Sequence, residues 1–303
     1  MARLVECVPN FSEGRRPEVI EAILAEIRSI PGVLLLDAKS DASHNRTVVT
    51  FVGEPEAAKQ AAFAACARAA QLINMQEHHG EHPRIGATDV IPFIPVTEVT
   101  MAECVELARS LGREIAEKLG IPVYLYEEAS TRPHLKTLPQ IRKGEYEGLK
   151  EAVHNPERWP DFGPHELHPT AGATVVGARE FLIAFNVNLG TDNVDVAKKI
   201  AKAIRESSGG YKNVKALGVM IEERGQAQVT INMCNYRTAP LYRVFETIKS
   251  EAARYGVNVV GSEIVGLTPL EALVDVAAFY LRLEDFKREQ ILEERLWEQQ
   301  ENN

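Results

Sequence analysis

Apolar and polar positions follow the same order in both halves of the chain. In the first half the pattern predicts a strand at 3–11, a helix at 17–30, strands at 33–38 and 46–53, a helix at 55–75 and a strand at 89–96. In the second half it predicts a strand at 181–189, a helix at 192–206, two strands within 214–233 around a turn at 223–225, a helix at 240–255 and a strand at 257–266. Both series read β-α-β-β-α-β, the split βαβ pattern. The sequence therefore predicts an α/β (α+β) protein that contains this pattern twice.

Further elements extend each half. TMAE at 100–103 resembles a helix capping box and Gly120 a helix end, which together predict a helix at 100–119. VLLLDA at 33–38 is almost continuously apolar and predicts a buried strand. Two more helices are predicted at the end of the chain, one capped by TPLE at 268–271 and one formed by the acidic tail.

The residues at 154–180 separate the two series. Their four prolines and three glycines are typical of a connection rather than of a helix or strand. The segment also contains ring side chains that a plain linker would lack, those of Trp159, Phe162, His165 and His168. Ordered loops of this length are more often functional than not. We place the domain boundary here, with an N-terminal subdomain at 1–178 and a C-terminal subdomain at 179–303.

Composition and charge narrow the classes of function. Of the 303 residues, 45% are hydrophobic and 25% are charged, which is typical of a globular protein. The formal net charge of −9 argues against general nucleic-acid binding, which requires a basic surface. The four cysteines form no CxxC pair, the first residues contain no apolar signal core, and no run approaches the ~20 apolar residues of a membrane helix. We therefore expect a soluble cytoplasmic protein without nucleic-acid or membrane partners.

The stretch HHGEHPRIGATDV at 78–90 holds three of the eight histidines within five positions. A metal site is one interpretation, because His78 and His82 are four residues apart. However, Gly80 and Pro83 disfavour a helix that would bring the two rings to one face. No cysteine or carboxylate stands nearby at a zinc spacing. We therefore predict no metal site.

Proton transfer is a second interpretation of the same stretch. Histidine has an unperturbed pKa near neutrality, so it can accept and return protons at working pH. Pro83 restricts the backbone of His82, Gly86 would let a ligand approach the backbone, and Arg84 could hold a carboxylate. A third interpretation is an exposed loop without a role, which the loop taken alone favours.

Other polar residues are open to two interpretations each. Cys7 could be a nucleophile, but a buried core thiol is the more common case. Arg46, at the start of a strand, could bind an anion or simply be exposed. Asn186 and Asn188 face the same side of an apolar strand, and their partner could be a loop backbone or a polar ligand.

Several stretches, in this order, resemble the glutamate formimidoyltransferase (formiminotransferase) family. They are LVECVPNFSEG (4–14), NRTVVTFVG (45–53), GEHPRIGATDVIPFIPV (80–96), VYLYEEA (123–129), IRKGEYEGL (141–149), PDFGP (160–164), FLIAFNVNL (181–189) and VGLTPLEALVDVAAFY (265–280). They span nearly the whole chain, which makes the resemblance far more specific than a short motif. In animals a similar sequence forms the front half of a bifunctional formimidoyltransferase-cyclodeaminase.

The resemblance implies a fold and an activity. The family has two subdomains with ferredoxin-like sheets, binds tetrahydrofolate as a co-substrate in a cleft between them, and forms homodimers. It moves the formimidoyl group between N-formimidoyl-L-glutamate and N5 of tetrahydrofolate during histidine degradation, with L-glutamate as the other product. Two alternatives remain at this point. One is formyl transfer from N-formylglutamate or 5-formyltetrahydrofolate on the same site, and the other is a non-catalytic amino-acid-binding module.

The resemblance also implies site residues. The family's catalytic histidine lies in an HPR stretch, which here makes His82 the expected general acid/base. We expect a pH–rate inflection within a unit or so of ~6.5 from its imidazole. The family's folate-binding loop corresponds here to Gly163, Pro164, His165, Glu166, Leu167, His168, Pro169, Thr170, Ala171 and Gly172. His78 and His79 are not required by the family pattern, so we expect both to be bystanders.

Six further residues are candidate substrate contacts: Arg46, Arg84, Asn186, Asn188, Asp37 and Asp41. The arginines are candidates because both substrates carry carboxylates. The two aspartates are candidates because the animal enzymes have an acid two positions after the equivalent of Asp37. This chain has Lys39 at that position, and its next acid is Asp41.

Overall fold

A computed structural model describes the backbone of residues 3–301 and the side chains of residues 3–297. The chain divides into two compact units, of which the first ends at Arg179 and the second begins at Glu180. In the described part of the chain, no helix has both the length and the apolar character that crossing a membrane would require.

The first unit is built on one seven-stranded sheet in the order β3-β4-(β1/β2)-β5-β7-β6, where β1 and β2 both pair with β4 and β5. Its elements are β1 (Leu4–Cys7), β2 (Asn10–Phe11), α1 (Pro17–Arg28), β3 (Val33–Asp41), β4 (Arg46–Gly53), α2 (Pro55–Leu72), β5 (Thr88–Thr97), α3 (Met101–Leu119), β6 (Val123–Glu127), α4 (Leu138–Ile141), α5 (Glu145–Ala152) and β7 (Thr174–Ala178). Strands β1 to β5 have the ferredoxin-like order, and β7 and β6 extend it by parallel pairing.

The two faces of this sheet are covered differently. Strand residues alternate between faces, so that Val123 and Leu125 of β6 pack with helices α1–α3 in the main core. The next residues, Tyr124 and Tyr126, point the other way and pack under the segment that contains α4 and α5. That segment therefore lies on the opposite face of the sheet from the main helices. Cys7 is fully buried in the main core, as predicted for a core thiol.

Helix α3 has the termini that its sequence predicts. The Thr100 side chain accepts a hydrogen bond from the Glu103 backbone N–H, and the Glu103 carboxylate accepts one from Thr100. At the other end, Gly120 adopts a φ of 66°, a left-handed conformation that glycine adopts without steric cost.

Two predictions for the first unit are wrong. Strand β3 is not buried: it lies at the sheet edge, and Leu34 and Leu36 are 64% and 49% exposed. An apolar run alone does not reveal an edge position. The segment 154–180 is also more than a connection, because TVVGA at 174–178 forms β7 between β5 and β6. The prolines and glycines before β7 led us to predict a connection over the whole segment.

The second unit has a four-stranded sheet in the order β11-β8-β10-β9, which confirms the second ferredoxin-like pattern. Its elements are β8 (Ile183–Leu189), α6 (Val194–Ile204), β9 (Val214–Ile221), β10 (Gln226–Met233), α7 (Leu241–Ala253), β11 (Val259–Val265), α8 (Leu270–Leu281) and α9 (Leu292–Glu301). The predicted TPLE cap is wrong, because α8 begins after Pro269 without a side-chain cap. Thr268 lies one residue too early to cap this helix.

Candidate functional site

His82 lies on a loop that rests against the β3–β4 turn. Gly80 makes this close approach possible, since a Cβ there would lie 2.3 Å from the carbonyl oxygen of His44. Asn45 of the turn has a positive φ of 48°, and its side chain donates to His79 O (3.0 Å) while it accepts from Gly14 N (2.9 Å). The turn therefore holds the loop directly before His82.

Arg84 anchors the loop on its other side, and all five of its N–H donors are used. Its Nε donates to His78 Nδ1 (3.2 Å), and Nη2 donates to His78 O (3.1 Å) and Glu147 Oε1 (2.7 Å). Its Nη1 donates to Glu145 Oε2 (3.0 Å) and Glu147 Oε2 (2.8 Å). These contacts occupy every donor of Arg84, so the predicted contact with a substrate carboxylate requires one of these hydrogen bonds to break.

His78 has a structural role in the loop, which the sequence did not indicate. Its ring is 6% exposed, and Nε2 lies 3.0 Å from Asn45 O. Because Nδ1 accepts from Arg84, Nε2 must carry the proton and donate to this carbonyl. Burial lowers the pKa of His78, which keeps the ring neutral. His79, in contrast, is exposed.

The surroundings of His82 disfavour its protonated form. Burial, followed by the positive charges of Arg46 and Arg142, lowers the pKa of His82 to about 2. His44 and Arg84 add smaller effects in the same direction. In the ligand-free protein this pKa lies far below neutrality, because cations from other segments fold against the loop; the pH–rate inflection near 6.5 stays a prediction.

Arg46 and Arg142 give the site an excess of positive charge despite the net −9 of the chain. Arg142 pairs with the buried carboxylate of Asp89, whose other oxygen accepts from Ile85 N (2.9 Å). Arg46 has no ion-pair partner among the described residues, and burial lowers its pKa. Within the same part of the chain, the Nε atoms of both arginines are buried and lack a hydrogen-bond partner. Such a pair can hold an incoming carboxylate.

Sequence reasoning assigned no role to Arg142 or Asp89. Both lie within stretches that carried the family resemblance, IRKGEYEGL and GEHPRIGATDVIPFIPV. The cluster of Arg46, Arg142 and Asp89 was not predictable, because these residues are far apart along the chain. They come together only because the α4–α5 segment folds back over the sheet.

Asp41 contributes to the site through a second imidazole. Its Oδ1 accepts from His44 N (2.8 Å), and its Oδ2 lies 3.0 Å from His44 Nδ1. The hydrogen bond from the His44 backbone, then burial and the His44 ring, act on this carboxyl, and the net effect lowers its pKa. The rings of His44 and His82 lie 6.4 Å apart. Asp37 lies opposite Thr50 in the sheet, and its carboxylate is 3.8 Å from Lys39 Nζ.

The predicted folate-binding loop is tied to the histidine loop at its C-terminal end. Ala87 N donates to Ala171 O (2.9 Å), and Ala173 N donates to Ile85 O (3.0 Å). Gly86 lies between these bonds, where a Cβ would lie 1.9 Å from Ala173 O. At the other end of the loop, the His165 ring stacks on Trp159, which precedes the loop, with centroids 4.0 Å apart.

Asn186 and Asn188 lie in the second unit and have partners on neighbouring strands. Asn186 Nδ2 donates to Glu263 (3.1 Å), and its Oδ1 accepts from Thr230 (2.8 Å). Asn188 Oδ1 accepts from Gln228 Nε2 (2.9 Å). Side chains, rather than the loop backbone considered from the sequence, therefore satisfy these two residues. In the described part of the chain, no group of three or more His, Cys, Asp or Glu side chains could hold a metal ion.

Comparison with known proteins covers both units. A family model described as the formiminotransferase domain, N-terminal subdomain, matches residues 4–179, and one described as the formiminotransferase domain matches residues 184–296. A glutamate formimidoyltransferase of Streptococcus pyogenes serotype M1 is 55% identical over 98% of this chain and 99% of that protein. One of Thermoplasma acidophilum is 51% identical over 97% of each. A formimidoyltransferase-cyclodeaminase of Rattus norvegicus is 50% identical over 92% of this chain but only 53% of its own length.

Proposed function

Because the chain belongs to the formiminotransferase family of one-carbon transferases, we propose that it transfers the formimidoyl group between N-formimidoyl-L-glutamate and N5 of tetrahydrofolate. The observation that carries this proposal within the family is the position of His82. Its neutral imidazole lies beside two arginines whose charge is only partly compensated. This arrangement suits a reaction that moves protons next to an anionic substrate.

The proposed role of His82 is general acid/base catalysis. N5 of tetrahydrofolate attacks the amidinium carbon, and the neutral imidazole accepts the N5 proton as the tetrahedral intermediate forms. The same proton then passes to the glutamate nitrogen as its bond to carbon breaks. Such proton transfer contributes typically ~10²–10⁴-fold to rate. The amidinium is itself a charged electrophile, so the proposed mechanism does not require a metal.

Arg46 and Arg142 are proposed to bind a substrate carboxylate. Their unpartnered Nε atoms and the missing ion pair of Arg46 support this role. A bound carboxylate would offset the positive charge that holds down the pKa of His82. Substrate binding would then raise the basicity of the imidazole at the step that needs it. Arg46 thus remains a candidate contact, and Arg142 joins it.

The loop Gly163–Gly172 is proposed to bind the folate co-substrate. Its hydrogen bonds to residues 85–87 support this proposal, because they place the end of the loop beside the strand that follows the histidine loop. We keep Asp37, Asn186 and Asn188 as proposed substrate contacts, with Asp41 acting through His44. The functional subdomains are proposed to be 1–178 and 179–303, a division within one residue of the boundary between the two units.

The proposal extends to the pathway and the cellular compartment of the protein. The substrate would place the enzyme in histidine degradation. Four free cysteines, three of them buried, suit the reducing cytoplasm.

A homodimer is supported by α8, whose only buried residue is Ala272 although most of its side chains are apolar. Helices that are apolar on all sides are normally covered.

A turnover assay with different donors tests the proposal. The purified protein is incubated with tetrahydrofolate and either N-formimidoyl-L-glutamate or N-formyl-L-glutamate. We expect 5-formimidoyltetrahydrofolate and glutamate in equal amounts from the first donor. Turnover with the formyl donor alone would show formyl transfer instead. Glutamate binding without turnover of either donor would show a binding module.

A further inference from the structure

We propose that His44, held by Asp41, relays a proton between solvent and His82. This inference rests on the proposed function and assigns a positioning role to a residue that the sequence did not single out. His44 belongs to the β3–β4 turn and approaches His82 edge-on, with an interplanar angle of 60°.

The reaction requires a proton from outside the two substrates. The nitrogen of glutamate carries one hydrogen in N-formimidoylglutamate and leaves as a three-hydrogen ammonium at neutral pH. One new hydrogen comes from N5 as the carbon–N5 bond forms and the carbon–glutamate bond breaks. The amidinium keeps its charge when it passes to N5, so the second hydrogen must come from solvent. No oxidation or reduction is involved.

His82 has few neighbours that could deliver this proton. The charged side chains that act on its ring are Arg46 from β4, Arg142 after α4 and Arg84 from its own loop. Guanidinium groups do not release protons near neutral pH. Asp89 is buried and paired with Arg142. His44 is the remaining group, and its side chain is 43% exposed, so it contacts both solvent and the site.

The geometry of His44 suits a relay. Asp41 Oδ2 lies 3.0 Å from the buried Nδ1 atom without hydrogen-bond geometry, and Asp41 Oδ1 accepts from His44 N (2.8 Å), so the carboxylate holds the residue through its backbone and places a negative charge beside its ring. With centroids 6.4 Å apart, the nearest nitrogens of the two rings lie at least about 4 Å apart. That gap is too long for a direct hydrogen bond, so the proposed relay requires a bridging water between the two rings.

His44→Ala tests the relay while retaining the turn, because Asp41 accepts from the backbone N–H of residue 44 and not only from the ring. We expect kcat to fall about 10-fold, with KM for both substrates within about twofold. Added imidazole should restore much of kcat, since it can occupy the vacated space and carry the proton. Asp41→Asn should lower kcat in the same direction, and exposed His79→Ala should leave it unchanged.

Two outcomes overturn the inference. One is a His44→Ala enzyme with the parent's kcat between pH 6 and pH 9. The other is a loss of kcat that imidazole does not restore, which would indicate a structural role. A parent protein without turnover would instead overturn the proposed function itself, so the two failures are distinguishable.

Discussion

At His82, the charges of neighbouring residues decide what a histidine can do. Burial disfavours the imidazolium, and the adjacent guanidinium groups repel it, so both effects lower the pKa. In the ligand-free protein the ring is therefore neutral and weakly basic, and the proposed carboxylate between the arginines would raise its basicity. The sequence was sufficient to propose His82 as the catalytic residue. It was not sufficient to predict that the ring is neutral, because Arg46 and Arg142 come from distant segments.

The titration of His82 can be followed by NMR in the ligand-free protein. We expect no titration of this ring between pH 8 and pH 5, because its pKa is held at about 2. Arg46→Gln should raise that pKa, since removing a cation favours the imidazolium. Arg109→Gln, a change on the exposed side of α3, should have no effect. An ordinary titration near pH 6.5 in the parent would contradict the electrostatic account.

His78 and His79 are adjacent in sequence and differ in what their removal should do. His78→Ala leaves Arg84 Nε and Asn45 O without their partner in a buried position. Buried groups without a partner cost about 1–3 kcal/mol, so we expect a loss of that size in the free energy of unfolding. His79→Ala should change it by less than ~0.5 kcal/mol. Urea denaturation measures both, and equal values for the two variants would contradict the anchoring role of His78.

Two elements define where the histidine loop can lie. The β3–β4 turn supports the residues before His82, and the strand pairing around Gly86 fixes those after Arg84. Most helices and strands were predictable because period and capping residues are local properties of the sequence, as α3 demonstrates. Strand β7 and the edge position of β3 were not, because pairing partners along a sheet are set by contacts that are remote in sequence.

Gly86→Ala tests the close pairing between the histidine loop and the folate-loop end. A Cβ at Gly86 would lie 1.9 Å from Ala173 O and 2.7 Å from Ala171 O, and the backbone must separate to accept it. Overpacking of this kind costs typically ~1–3 kcal/mol, and we expect weaker folate binding as well. Gly148→Ala in α5 is the matched control, because outside the helix's own backbone no described atom lies within 4 Å of its Cβ position. Calorimetry that shows unchanged folate affinity for Gly86→Ala would contradict the proposed link.

At the scale of the molecule, each unit has its own core and its own ferredoxin-like sheet. The doubled pattern was predictable because both series of elements recur in the same order. The family was also predictable, and it is confirmed by models that together match residues 4–179 and 184–296. The negative net charge of the chain does not indicate the positive charge of the site, because acidic residues elsewhere outnumber the arginines clustered there.

The proposed homodimer predicts a specific effect of charge on α8. Leu273 is 43% exposed, so an acidic residue there costs the single chain little but would be buried if α8 forms the interface. We expect Leu273→Asp to shift the protein from dimer to monomer in sedimentation experiments. Ser207→Asp, at an exposed position outside α8, should leave the dimer intact. A parent that sediments as a monomer, or a Leu273→Asp variant that remains dimeric, would contradict the assignment of α8 as the interface.

The most direct test of the account is the turnover of His82→Ala with N-formimidoyl-L-glutamate and tetrahydrofolate. We expect kcat to fall by ~10²-fold or more while the dissociation constant for tetrahydrofolate stays within a few-fold, because an acid/base group is lost and a binding group is not. The His79→Ala variant, assayed in parallel, should match the parent. A His82→Ala enzyme that retains near-normal turnover would show that the proton passes through another group, and the role assigned to His82 would be wrong.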